Sequence, residues 1–219
     1  MYDYFYNKNL RKLVVAFGSL FNNISVEHVN PDGGSNLQIR VPISYAPQEK
    51  FIQRWLQPSS IDDTTRIEKQ LPVMSYIINT ITPDPSRRRN KFSFAQALAQ
   101  VDGECSNEGN QVFQEVPVNV VFTLYIYTRH IDDTLQIFEQ IIPYFNPEHV
   151  ITLSMNEVNQ SVNIPIIMGT NSVSERYDGD LASRRLNISS ISFTAKSYIF
   201  GEIKPILGIN SVVSGVTYG

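Results

Sequence analysis

The stretch 116–127 constrains this chain most. Val116, Val118, Val120, Phe122, Leu124 and Ile126 alternate on one side, while Val121, Tyr125 and Tyr127 enrich the other. Successive side chains of a strand point to opposite faces, so this pattern predicts a strand covered on both. Residues 132–142 follow directly as a helix. Asp132 and Asp133 occupy its first turn, where carboxylates complement the helix dipole, and Leu135, Phe138, Ile141 and Ile142 mark its apolar face. Pro143 and Pro147 end it.

Other segments can be placed around this unit. Leu10, Leu13, Val14, Phe17, Leu20 and Phe21 recur at spacings of three and four, which predicts an amphipathic helix over 9–22. Residues 24–29 read as a strand and 30–35 as a turn. Leu37, Ile39, Val41, Ile43 and Tyr45 then alternate as a second strand, making a hairpin with one buried face. A short helix over 49–56 follows Pro47, a polar helical turn is expected within 62–70, and 71–81 reads as a strand. Strands are also expected over 151–155, 162–168 and 186–198. Residues 83–115, with their Gly, Asn and Glu, read as a long excursion with limited structure of its own.

Strands dominate and the helices are segregated rather than alternating with them, so the fold class is α+β: a mostly antiparallel or mixed sheet flanked by a few helices. A chain of 219 residues with 42% hydrophobic content can bury one sizeable core. The expected organisation is a single domain over 1–207 with a C-terminal tail at 208–219, whose Val212, Val213 and Val216 could add an edge strand to a neighbour.

Composition narrows the function. Eighteen basic against 21 acidic residues give a net charge of −3, so no global field draws the chain to nucleic acid or anionic membrane. The single cysteine, Cys105, allows neither an internal disulfide nor a multi-cysteine metal site, and points to a reducing compartment. The N-terminus lacks the pattern of a signal peptide, and no apolar run reaches membrane-spanning length, so a soluble protein is expected.

No catalytic pattern stands out. His28, His130 and His149 are scattered, without a nucleophile elbow or a cysteine partner, and read as surface or loop histidines. His130 with Asp132 and Asp133 is the best metal-like cluster, but the aspartates are accounted for as helix-start residues. Asp32, Gly33, Gly34 and Ser35 lie between two strands with no following Lys-Ser/Thr, so they form a turn and not a phosphate cradle. No cofactor is expected.

Charged residues suggest contacts instead. Arg87, Arg88 and Arg89 form the only basic run, suited to a subunit or partner contact or to a local phosphate patch. Thr128, Arg129, Asp132 and Asp133 join the clearest strand to the clearest helix, where capping and an ion pair could fix the junction. Arg184 and Arg185 follow an acidic stretch and suit intramolecular pairing or an interface.

Several local patterns then combine. They are the Tyr4, Phe5, Tyr6, Asn7 opening, a first helix ending Leu20, Phe21, Asn22, Asn23, Ile24, and Ile39, Arg40, Val41, Pro42, Ile43 with Tyr45, Ala46, Glu49 and Phe51. To these are added Phe-Thr-Leu-Tyr-Ile-Tyr-Thr-Arg at 122–129, Asp132 with Asp133, and Gln-Ile-Phe-Glu-Gln-Ile-Ile-Pro-Tyr-Phe-Asn-Pro at 136–147. The set resembles the tail-completion and sheath-stabiliser family of T-even-type contractile-tailed bacteriophages. It covers about the first three quarters of the chain, strongest in 1–56 and 116–147, with a fainter echo at 178–185.

The resemblance implies a structural virion protein, not an enzyme, assembled in the host cytoplasm. It implies a homo-hexameric ring at the head-proximal end of the tail, in the neck region. The implied partners are the tail sheath protein, a tail terminator or tube-capping protein, and a neck protein of the head; DNA passes through the lumen without specific binding, and no membrane is involved. The alternatives are a tail-terminator ring and, from another class, a nucleic-acid-binding module using the arginine run.

Overall fold

The structure, a computed structural model, describes residues 4–28, 37–56, 71–90, 94–101, 104–113, 115–154, 161–177, 185–201 and 203–207. Helix α1 spans Asn9–Ser19 and is followed by β1 (Ser25–His28), β2 (Leu37–Arg40), β3 (Ile43–Tyr45), α2 (Gln48–Leu56) and β4 (Val73–Pro83). A 3-10 turn, Pro85–Arg87, precedes β5 (Phe94–Val101), β6 (Glu104–Phe113) and β7 (Val116–Thr128). Helix α3 (Ile131–Ile141) runs into a 3-10 turn, Ile142–Phe145, before β8 (His149–Ser154), β9 (Ser161–Tyr177), β10 (Arg185–Ile199) and β11 (Ile203–Leu207).

The main sheet has six strands in the order β3-β4-β7-β10-β9-β8. Only β3–β4 is parallel; the other pairs are antiparallel. This is the expected α+β class with a mixed sheet, and the doubly apolar strand β7 lies inside it between β4 and β10. Its Phe122 is in register with Phe193 of β10. Phe17 of α1 stacks on Phe122 at 4.3 Å, nearly parallel, and meets Phe21, Tyr76 and Phe193 at 5.2–5.4 Å. Phe145, just after α3, packs on Phe193 at 4.9 Å. Helices α1 and α3 therefore cover the Phe122 face, and one aromatic cluster holds both to the sheet.

The opposite face carries a smaller cluster. Phe51 of α2 stacks on Tyr127 at 3.8 Å, with Leu186 and Ile188 beside it. Tyr127 is fully buried, and its hydroxyl lies 3.2 Å from Ser75 Oγ. Burial, the largest cause, pushes the phenol up to about 12 against the opposing Ser75 hydrogen bond. Because the folded value lies above the ordinary 10.0, the stability this group contributes is whole below pH 10 and is lost as pH rises towards 12. Alkaline titration followed by circular dichroism should show unfolding in that window, and Tyr127→Phe should make the loss shallower; an identical profile would contradict this account.

The structure corrects several expectations. The strand expected over 37–45 is two. Val41 N still donates to Ile24 O at 2.9 Å, but Pro42 has no N–H to continue that pairing, and its carbonyl accepts from Met74 N at 2.8 Å. The chain changes partners at this proline: β2 pairs with β1 in a separate two-stranded ribbon, while β3 joins the main sheet. The predicted hairpin forms from β1 and β2 but ends before Pro42, and β2 adds little to a buried face because it is mostly exposed.

Within 83–115, expected to have little structure, β5 and β6 pair with each other, and β11, which was not anticipated, completes a three-stranded sheet in the order β11-β6-β5. Alanine, glutamine and asparagine fill these strands and carry weak strand propensity, so periodicity does not reveal them. Strand β9 runs well past the expected 162–168 because its polar half finds cross-strand hydroxyl partners. Ser172 and Ser190 approach to 2.7 Å, and Ser174 donates to Ile188 O at 2.9 Å.

Helix α3 is rotated from the expected face. Ile137, Phe138 and Ile141 are buried, while Leu135 and Ile142 are 51% and 40% exposed. The expected turn at 30–35, the helical turn within 62–70 and the C-terminal edge strand at 208–219 lie outside the described residues.

Candidate assembly surfaces

The arginine run divides by role. Just after β4, Asp84 accepts hydrogen bonds from Ser86 N and Ser86 Oγ and closes the 3-10 turn. Arg87 folds back on its own chain. Its Nε donates to Asp84 Oδ2 at 2.8 Å, its Nη2 to Val118 O at 3.2 Å and Asn119 Oδ1 at 3.0 Å, and its guanidinium lies 5.1 Å from the Tyr198 ring centroid. Hydrogen bonds from Ser86 and Arg87 hold the Asp84 carboxyl well below the usual carboxylate range. Arg87 thus fastens the 3-10 turn to the start of β7. Arg88 is exposed, and Arg89, 73% exposed, reaches Glu115 at 3.6 Å, a spacing typical of a weak surface pair.

The junction of β7 and α3 is built from inside. Thr128 and Thr134 are fully buried and share a hydroxyl hydrogen bond of 2.7 Å. Asp133 is also buried, and its Oδ1 accepts from His28 Nε2 of β1 at 2.9 Å. At this junction Asp133 is therefore bonded to His28 and not to Arg129. His130 is the N-cap residue of α3 but makes no side-chain capping bond. Gln136 and Gln140 add bonds to the backbone of Glu27 and Ser25, so β1 is clamped along α3. Sequence reading missed His28, because its partner is 105 residues away. Arg129 and Asp132 remain exposed. Arg185 opens β10, and Arg184 lies outside the described residues.

Apolar groups also face solvent. Tyr4 and Tyr6 are 93% and 57% exposed on a segment tied down by Asn7, whose Nδ2 donates to Phe200 O and Gly201 O. Tyr144 projects beside α3 at a cleft of about 580 Å³ lined by Leu20, Phe21, Ile24, Pro143 and His149. Among the described residues, no three His, Cys, Asp or Glu come together as a metal-holding group, and no helix is long and apolar enough to cross a membrane.

Asp133 and Arg87 brace the junctions of an α+β scaffold whose outward apolar and charged side chains suit it to packing against other chains. Residues 4–216 match the family described as T4-like virus Myoviridae tail sheath stabiliser. The chain is also 29% identical over 215 residues to the tail completion protein gp15 of Enterobacteria phage T4, a match covering 95% of this chain and 76% of that protein. The chain belongs to this tail sheath stabiliser family. It is a structural component of the phage tail and not an enzyme. The match extends past the three quarters marked by the sequence motifs and takes in 83–115 and β8 to β11.

Proposed function

We propose that copies of this chain close into a sixfold ring at the head-proximal end of the contractile tail. There it completes the tail, holds the last sheath ring, and offers a surface for joining to the neck of the head. The observation that carries this reading is the family match over 4–216, which takes in nearly all of the chain. A closed ring needs two different complementary faces per subunit. Arg88, Arg89, Arg129 and Asp132, all exposed, are available for such contacts, with Arg184 and Arg185 as further contact residues. Arg87 and Asp133 act behind them as positioning residues, since their own polar atoms are engaged within the chain. At −3 per chain, six copies carry about −18, which disfavours wrapping by DNA and permits its passage through the lumen.

The test is light scattering of the purified protein, alone and mixed with tails lacking it, followed by negative-stain imaging. Sixfold rings, or density added at the head-proximal end of the tail together with head attachment, are expected. A chain that stays monomeric and leaves tails undecorated would overturn the reading.

A further inference from the structure

Two helices on the same side of the sheet present outer faces that the other described residues leave uncovered. Helix α1 contains no acidic residue, and Arg11, Lys12 and Val15, with Lys8 just before the helix, lie on its solvent side. Val15 is 64% exposed. Between α1 and the end of β8 runs a groove of about 610 Å³, with Val15, Ala16 and Leu153 as its apolar floor and Lys8, Arg11 and Lys12 as a cationic rim. Lys12 is held in the rim by donating to Ser154 O at 2.8 Å.

Helix α3 has the converse composition. It contains no basic residue, and Asp132, Leu135 and Glu139, with Ile142 just beyond its last turn, recur at spacings of three and four as one exposed stripe. Ile131 is also exposed, at 39%. Apolar side chains at half exposure, flanked by carboxylates of one sign, match a groove with an apolar floor and a rim of the opposite sign.

We propose that the outer face of α3 on one copy docks in the α1–β8 groove of the next, with Leu135 over Val15 and Leu153 and with Asp132 and Glu139 against Lys8 and Arg11. The inference rests on the ring reading and specifies its subunit contact. The two faces differ in sign and in shape, so the contact is heterologous, as a closed ring requires. Burying Leu135 and Val15 supplies the apolar component, and the charges select the register and reject like-with-like pairing.

The experiment uses the full chain in two variants, each checked by circular dichroism. Lys8→Glu/Arg11→Glu makes the groove acidic while leaving the Lys12 bond to Ser154 intact, and Asp132→Lys/Glu139→Lys makes the α3 stripe basic. By sedimentation velocity, each variant alone should need about tenfold or more higher concentration to assemble than the wild type. An equimolar mixture should recover assembly, because strict alternation of the two variants restores opposite charges at every contact. Wild-type assembly by either variant alone, or failure of the folded pair to recover, would overturn the proposal. If the reversals spare ring formation but abolish attachment to tails, the groove takes another tail protein and the inter-copy contact is wrong. A wild type that associates neither with itself nor on tails would instead sink the ring reading.

Discussion

Phe17→Ala is expected to lower the stability of the folded chain by about 3–5 kcal/mol, the range for removing a large aromatic side chain from a core. Phe17 is fully buried and touches both central strands through Phe122 and Phe193, the end of its own helix region through Phe21, and β4 through Tyr76. No small shift of one neighbour can fill a hole bounded by four rings. The truncation also weakens the hold of α1, and with it the basic groove face, on the sheet, although Leu13 and Phe21 still anchor the helix. Urea denaturation measures the effect, with the midpoint falling and the slope unchanged. Val15→Ala, two residues away on the opposite, largely exposed side of the helix, is the control and should stay within about 0.5 kcal/mol of wild type. Equal, small losses for the two would mean that α1 does not pack as described.

The second large effect comes from adding atoms next to this residue. A methyl group at Gly18 would stand 2.8 Å from Tyr76 Cζ and closer still to its hydroxyl. Tyr76 cannot simply swing aside. It is buried, its ring packs against Phe17 and Tyr45, and its hydroxyl donates to Val14 O at 3.0 Å in α1. Gly18→Ala should therefore cost about 1–3 kcal/mol through overpacking, despite the gain in helix propensity of about 1 kcal/mol that alanine brings. The double variant Gly18→Ala/Tyr76→Phe discriminates the cause. Removing the hydroxyl relieves the closest clash, so the pair should be more stable than the sum of the two single changes predicts. Strict additivity would show that the close approach of α1 to Tyr76 is not what requires glycine here.

Much of the architecture was legible where burial leaves a periodic trace. The alternation in 116–127 marks a strand covered on both faces, and the spacing in 9–22 picks out the stripe that packs on it, with Leu13, Phe17 and Phe21 all buried. Where polar strands pair with one another, no such trace exists. The second half of β9 is stabilised by serine and threonine hydroxyls across to β10, and the three-stranded sheet β11-β6-β5 adds the distant β11 to the local β5–β6 pair. Pro42 carries a readable local signal, a missing N–H, but not the destination of the strand beyond it. Helix α3 shows the limit of periodicity in another way. Two apolar stripes are present, and the sequence pattern alone does not say which is buried.

The candidate contacts follow the same division. Arginine at 87, 88 and 89 reads as one basic run, yet Asp84, Asn119 and Tyr198 engage the first, while the second remains outward and the third makes only a peripheral pair with Glu115. Asp133 reads as a helix-start residue and is in addition the buried partner of His28. Asp84 is a local partner, but Asn119 and Tyr198 for Arg87, and His28 for Asp133, lie far along the chain.

What the sequence by itself determined was the α+β class, the central strand and its covering helices, and, through motifs from Tyr4 to Pro147, the family. These are written in local periodicity and in ordered residue strings. Only the tertiary structure decided which stripe of α3 faces the sheet, which arginine is held internally, and that α1 and α3 expose oppositely charged faces on one side of the molecule. The physical reason is that such choices are made by groups far apart in the chain, when burial removes one set of side chains from water and leaves the remainder for a partner.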